Sequence, residues 1–365
     1  MRGADKQQVT MLSLVTPDRR VPADHPLRRI KALADQALLA LSPTFDAMYS
    51  NVGRPSIPPE RLLKATLLMA FYSVRSERLF CEQLDYNLLF RWFLDMDMVE
   101  ETIDHSTFSR NRQRLLDHEV AAKFLAEVVS AARGAKLMSD DHFTVDGTLI
   151  EAWASVKSFR PKDEKSDDRK PPDDPGNPTV NFHGEKRSNE THASTTDPDA
   201  KLARKGNNQP AKLSYLANAL MENRNGLIVG LRVEPATGYG ERDGALALLD
   251  EHVAGRDGVT LGADAGYDVE SFVEALRERG VVPHIAQSRD KRRSSAVDGR
   301  TTRHRGYAVS QRIRKRVEEI FGWAKTVACF RKTRFKGLAR TQLAAHLVAA
   351  AYNLLRMAKL MPAAP

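Results

Sequence analysis

Residues Ser310 to Lys325 read SQRIRKRVEEIFGWAK, and the pattern puts a basic surface, an apolar face and one well-placed carboxylate on a single predicted helix. Ser310 suits an N-cap, and neither Gly nor Pro interrupts the eleven residues after it. At about 100° per residue, Ile313, Val317, Ile320 and Ala324 share the side that a packed helix buries. Arg314, Glu318 and Lys325 fall on an adjoining stripe with Gln311 beside them, whereas Glu319 lands on the opposite flank. Glu318 is therefore the glutamate that shares a face with both cations. Taken alone, Arg314 and Glu318 are an ordinary i,i+4 pair worth about 0.3 kcal/mol.

The surroundings of this helix are basic. Lys291, Arg292, Arg293, Arg312, Arg316, Arg331, Lys332, Arg334 and Arg340 crowd the same part of the chain with few acids between them, and the whole chain carries a net charge of +9. So long a run beside one helix points to phosphate contacts and a polyanionic partner. Arg314, Lys325, Arg316, Arg331, Lys332 and Arg334 are the expected phosphate contacts.

Upstream, HFTVDGTLI at 142–150 has the β-branched and aromatic content of a strand. It carries Asp146 in its middle, where a buried strand seldom keeps a carboxylate. Leu213 to Met221 reads as a strand, Asn225-Gly226 as a hairpin turn and Leu227 to Val233 as the partner. Glu241 to His252 is helical, and Val259 to Ala263 is a short strand ending at Asp264. Asp268 is expected as the N-cap of a helix to Arg279, and Val281 to Ile285 is a last strand. Glu151 has no identifiable role. A mixed α/β sheet collects ligands beyond its strand ends, so Asp146, Asp264 and Glu318 can converge. Three carboxylates in a basic setting suit hard divalent cations, two of which can assist cleavage of a phosphodiester.

With 365 residues, 42% of them hydrophobic, the chain can build a large core and two domains. Residues 1–25 read as a flexible arm and 26–135 as an all-helical N-terminal domain. Its helices start near Pro26, at Ser56-Ile57-Pro58-Pro59-Glu60, at Ser76 (running on past Phe90), at Asp104 and at Glu119. The short basic helix with Arg110, Arg112 and Arg114 could enter a DNA groove. Residues 136–360 form the catalytic domain, interrupted at about 156–210 by a polar, Pro-rich stretch expected to be mobile. His183 and His192 in that stretch are assigned no metal. Leu338 to Leu360 carries Arg340, His346, Arg356 and Lys359, so it is a core helix rather than a membrane span. No secretory signal pattern opens the sequence. Cys81 and Cys329 are the only cysteines and form no CxxC pair. A DNA-associated, cytoplasmic location is expected.

At these residues the chain resembles the DDE transposases of bacterial insertion sequences, the insertion-sequence-five group in particular, over nearly its whole length. Val145-Asp146-Gly147-Thr148 matches the first motif and Ala263-Asp264-Ala265-Gly266-Tyr267-Asp268 the second. Arg314-x3-Glu318-x6-Lys325, with Phe321-Gly322-Trp323 inside it, matches the third. The third motif often begins with a tyrosine at the position held here by Gln311. The resemblance implies an RNase H-like mixed-sheet catalytic domain preceded by an all-helical N-terminal domain. It implies Asp146, Asp264 and Glu318 as catalytic residues and metal ligands, with Mg2+ as cofactor and Mn2+ as a substitute. It further implies double-stranded DNA as partner, cleavage at terminal inverted repeats, and transfer of the freed 3′-hydroxyl ends to target DNA. Joining two ends is compatible with a homodimer, although no heptad pattern marks an interface.

Asp146-Gly147-Thr148-Leu149 is also similar to the haloacid-dehalogenase motif, whose nucleophilic aspartate would stand at Thr144. Without that nucleophile the covalent route is closed. A catalytically silent, transposase-derived DNA-binding protein is the alternative, and nicking of an end-bearing duplex with Mg2+ or Mn2+ separates the two.

Overall fold

Short polar caps and prolines decide where the first helices start. The computed structural model describes residues 16–49, 56–162, 187–206, 209–238, 240–288 and 294–361. Most of the expected arm, a large part of the polar insertion with His183, and Lys291, Arg292 and Arg293 lie outside the described residues. Thr16 caps α1 (Pro17–Arg20), His25 caps α2 (Pro26–Ala40), and α3 (Ser42–Met48) follows. Pro59 opens α4 (Pro59–Phe71), where its missing N–H removes no helical bond. The apolar run after Ser76 is two helices, α5 (Glu77–Tyr86) and α6 (Leu88–Phe93), rather than one. Asn87 makes the break, because its side-chain oxygen accepts from the Phe90 N–H and restarts the chain. Asp104 caps α7 (His105–Asp117), and α8 (Val120–Gly134) completes the module. Lys64, only 5% exposed, is neutralised by Asp35 and Asp95, each 2.5 Å away.

Strand β1 (His142–Glu151) leads by way of the short β2 (Phe159–Pro161), β3 (His192–Ser194) and β4 (Lys201–Ala203) to β5 (Lys212–Glu222) and β6 (Ile228–Pro235). Helix α9 (Gly240–His252), β7 (Thr260–Ala263), α10 (Glu270–Glu278) and β8 (Val282–Ile285) follow. The last elements are α11 (Gly299–Thr302), α12 (Arg305–Ile313), α13 (Val317–Thr326) and α14 (Leu338–Leu360). β5 lies antiparallel to β1 on one side and to β6 and β4 on the other. β7 joins the far edge of β1 in parallel, and β8 joins β7 in parallel. Four strands in antiparallel pairing (β4, β6, β5 and β1) followed by two parallel ones (β7 and β8) make a six-stranded mixed RNase H-like sheet.

The hairpin between β5 and β6 turns at Gly226, whose φ of +73° is a left-handed conformation that glycine adopts without strain. Buried Glu222 accepts from the backbone N–H groups of Ser139, Arg224, Asn225 and Leu227, which ties this turn to the entry of β1. Helix α14 packs against α8, α2 and α4 and against β6, so one apolar core runs from Leu27 to Ala358. Within the stretch expected to be mobile, β2 and β3 pair, and β4 extends the sheet edge. Asp197 accepts from the Tyr215 hydroxyl and the Gly337 N–H, and Asp199 from the Leu338 N–H, so this segment holds the start of α14. Among the described residues no helix is long and apolar enough to cross a membrane.

Candidate active site

Asp146 sits at the centre of β1 on the same face as Thr144 and Thr148, since side chains alternate along a strand. The parallel pairing of β1 with β7 matches His142 with Thr260 and Thr144 with Gly262. Two residues beyond that last pair stand Asp146 within β1 and Asp264 just past the end of β7. The register therefore carries the two aspartates level at the point where the strands part. Asp264 accepts from the Gly266 N–H at 2.7 Å and caps a single 3-10 turn, Ala265–Tyr267. Asp268 does not cap α10, which Val269 precedes. It is 1% exposed and accepts from the Ser288 and Ala296 N–H groups, anchoring the chain that follows β8.

The Ser310–Lys325 stretch is not one helix. α12 ends at Ile313, a 3-10 turn covers Arg314–Arg316, and α13 begins at Val317. Ser310 lies inside α12 instead of capping it, and its hydroxyl meets His284 Nδ1 at 2.7 Å. The Tyr307 hydroxyl donates to the Ile285 carbonyl and the Gln311 amide to the His284 carbonyl, so α12 is clamped to β8 from three positions. The His284 imidazole is held down to about 4 by burial and by the neighbouring His142 and His304, and stays neutral. A Cβ at Gly262 would lie 3.0 Å from Thr144 Oγ1, a tight contact, and 3.6 Å from Arg314 Cβ, an ordinary one, so this segment crosses close over β7.

The 3-10 turn advances about 120° per residue instead of 100°, which rotates Arg314 away from Glu318. The expected i,i+4 pair is absent, and Arg314 donates to Gln311 Oε1 at 2.9 Å. Glu319, on the far flank as expected, lies 3.5 Å from Arg356 of α14. Lys325 donates to Thr148 Oγ1 at 2.7 Å, two residues along β1 from Asp146. Burial, with Lys205 and Arg331 nearby, lowers its pKa.

Burial pushes the Asp146 carboxyl up to about 7. The Gly147 N–H, donating at 2.9 Å, works against that shift, and the charges of Asp264, Glu241 and Glu318 add to it. Asp264, Glu318 and Glu241 of α9 thus all act on Asp146. Sequence reading missed Glu241 because an acid in a first helical turn is commonplace. No ion pair involves any of the four among the described residues, and oxygen donors lacking a cationic partner have the chemistry that a hard divalent cation takes. Among the described residues no three His, Cys, Asp or Glu side chains are gathered closely enough to hold a metal ion. A divalent ion bound among them would have to draw them together.

The expected DNA contacts differ in their surroundings. Arg331 and Lys332 are exposed, and Lys332 lies 5.8 Å from the centre of the Trp153 ring. Arg316 reaches the Arg224 carbonyl at 3.4 Å. Arg334 departs from the expectation of an open phosphate contact. It donates to the Arg75 carbonyl and packs on Phe335, lining a cavity of about 720 Å³ between the N-terminal helices and the end of β1.

No curated protein matches the chain. Among solved structures, it is similar to a piggyBac transposase synaptic complex with hairpin DNA at 12% identity and TM-score 0.41, over 90% of this chain and 73% of that one. It is similar to a Mos1 transposase paired-end complex with left transposon end at 13% identity and TM-score 0.19, over 64% and 61%. Residues 15–114 match the family described as transposase domain (DUF772), and residues 180–354 match the transposase DDE domain family. These two family matches, which flank the strand bearing Asp146, support a DDE transposase.

Proposed function

We propose that this chain is a DNA transposase of the insertion-sequence-five group. It cleaves at the terminal inverted repeats of its element and transfers the 3′-hydroxyl ends to target DNA. The observation that carries the reading is the β1–β7 register, which sets Asp146 level with Asp264 while Glu318 acts on Asp146 from α13. Asp146, Asp264 and Glu318 would hold Mg2+, or Mn2+ in its place. Bound there, the cations would supply an activated attacking oxygen and stabilise the leaving oxygen of the phosphodiester. Gln311 holds Arg314 and Thr148 holds Lys325, and these two donors would meet a phosphate. Arg316, Arg331 and Lys332 would extend the contact along double-stranded DNA, with two copies of the chain on paired ends. Residues 26–135 and 136–360 are assigned as the helical and catalytic domains.

The test is incubation of the purified chain with a duplex carrying the sequence that flanks its coding region, plus Mg2+ or Mn2+. Metal-dependent nicking at a repeat boundary is expected. Binding without nicking would favour the catalytically silent DNA-binding protein, a reading that the spread of the carboxylates keeps in view.

A further inference from the structure

Trp153, two residues past the end of β1, is 51% exposed. A single exposed tryptophan is ordinary on a protein surface, but this one stands on a built basic ledge. Residues 331–333 run beside the end of β1, where the Glu151 N–H donates to the Arg331 carbonyl at 3.0 Å and the Thr333 N–H to the Glu151 carbonyl at 2.8 Å. Lys332, paired with Glu151 between those two bonds, sets its ammonium 5.8 Å from the centre of the Trp153 ring, within cation–π reach. On the other side of β1, Ser214 of β5 pairs with Glu151, and Lys201 of β4 pairs with Ser214. Directly paired residues share a face of a sheet and side chains alternate along each strand, so Lys201, Lys212 and Glu151 project together. Lys212 meets the Glu151 carboxylate at 2.6 Å. Glu151, without a role in the sequence reading, thus ties the ledge together through its backbone and its side chain.

Lysines alone would suit the phosphates of any DNA. The indole adds a flat apolar face among them. In a duplex the bases stack on one another and offer only their edges in the grooves, so an aromatic ring set among phosphate contacts has nothing there to stack on. An unpaired strand offers base faces and phosphates together, and cations interleaved with an aromatic ring match both. Glu151, Trp153 and Lys332 also line the cavity of about 720 Å³ whose wall includes Lys325 and Arg331, so the ledge adjoins cations already assigned to phosphate. Glu151 lies five residues along β1 from Asp146, about 17 Å. A strand cut at the carboxylates would reach the ledge within a few nucleotides.

We propose that Trp153, with Lys332, Lys212 and Lys201 around it, is a stacking platform for an unpaired DNA strand. Any base can stack there, so the platform holds the strand without reading its sequence. The inference rests on the proposed function for the source of that strand, which nicking would release, while the platform itself can be tested without cleavage.

The experiment follows the fluorescence anisotropy of a labelled oligothymidylate of about 12 nucleotides, and of a duplex of the same length, as the full chain is added without divalent cations. Nicking is assayed separately with Mn2+. Trp153→Ala should weaken single-strand binding about tenfold and duplex binding less than about twofold, whereas Trp153→Phe, which keeps a ring, should hold the single strand within about threefold of wild type. Lys332→Ala should lower the slope of log affinity against log salt for the single strand by about 0.7. Unchanged binding of both DNAs in Trp153→Ala, or an equal loss on both, overturns the platform, and a wild type that still nicks leaves the proposed function standing. A Trp153→Phe chain as weak on the single strand as Trp153→Ala assigns the residue to packing and also overturns the platform. A wild type that holds the single strand through Trp153 but does not nick upholds the platform and favours the catalytically silent DNA-binding protein. One that binds neither DNA overturns both readings.

Discussion

Asp146 is held in the fold at a cost in stability. Its carboxyl is held at about 7 against an ordinary 3.8, so between those values the folded chain keeps a proton that the unfolded chain releases. Folding stability therefore falls as pH rises from about 4 to 7 and stays lowered above that. Asp146→Asn should stabilise the metal-free chain by roughly 1–3 kcal/mol at pH 8, and the gain should shrink towards pH 4, as thermal melts across that range would show. The same substitution should abolish nicking. Glu318→Ala should cut nicking about 10²–10³-fold, since a lost cation forfeits several kcal/mol of charge stabilisation. Glu319→Ala should keep nicking within about threefold, because its partner is Arg356 of α14 and an exposed pair is worth little. The separation of Glu318 from Glu319 was legible in sequence, because the two fall on opposite flanks of the apolar stripe. The part of Glu241 was not, because its spacing in the chain matches that of any helix-start acid.

At the scale of elements, strand β1, the Asn225-Gly226 hairpin and α9 were legible because alternation, turn chemistry and helical period are local signals. The break at Arg314–Arg316 was not, since RIRKR contains neither Gly nor Pro. It is imposed from outside, where Tyr307, Ser310 and Gln311 fix α12 to β8 before α13 turns onto β1. The three-residue strands β2, β3 and β4 escaped for a related reason, being too short to show a period. Gly262 of β7 faces Thr144 and, at ordinary contact distance, Arg314. Gly262→Val should destabilise the chain by about 1–3 kcal/mol through overpacking against Thr144 and Arg314. It should also lower nicking more than Gln311→Ala does, because it lifts the whole segment instead of freeing one arginine. Denaturant melts and nicking rates on both variants check the order.

Over the whole molecule, α14 ties the helical module to the sheet through one continuous core, a tie visible in sequence only as an apolar stretch interrupted by charges. The net charge of +9 favours a polyanionic partner. Arg331→Ala and Lys332→Ala should each reduce the slope of log affinity against log salt by about 1. Arg334→Ala should leave the slope alone and lower stability instead, since that side chain is committed to Arg75 and Phe335. The central claim is that carboxylates far apart in the chain share bound cations, and anomalous diffraction from crystals soaked in Mn2+ tests it most directly. The expected result is a Mn2+ peak about 2.1 Å from carboxylate oxygens of Asp146 and Asp264, with Glu318 drawn in beside it. A Mn2+-soaked crystal with no ion between Asp146 and Asp264, or with its ions bound elsewhere, would contradict the account.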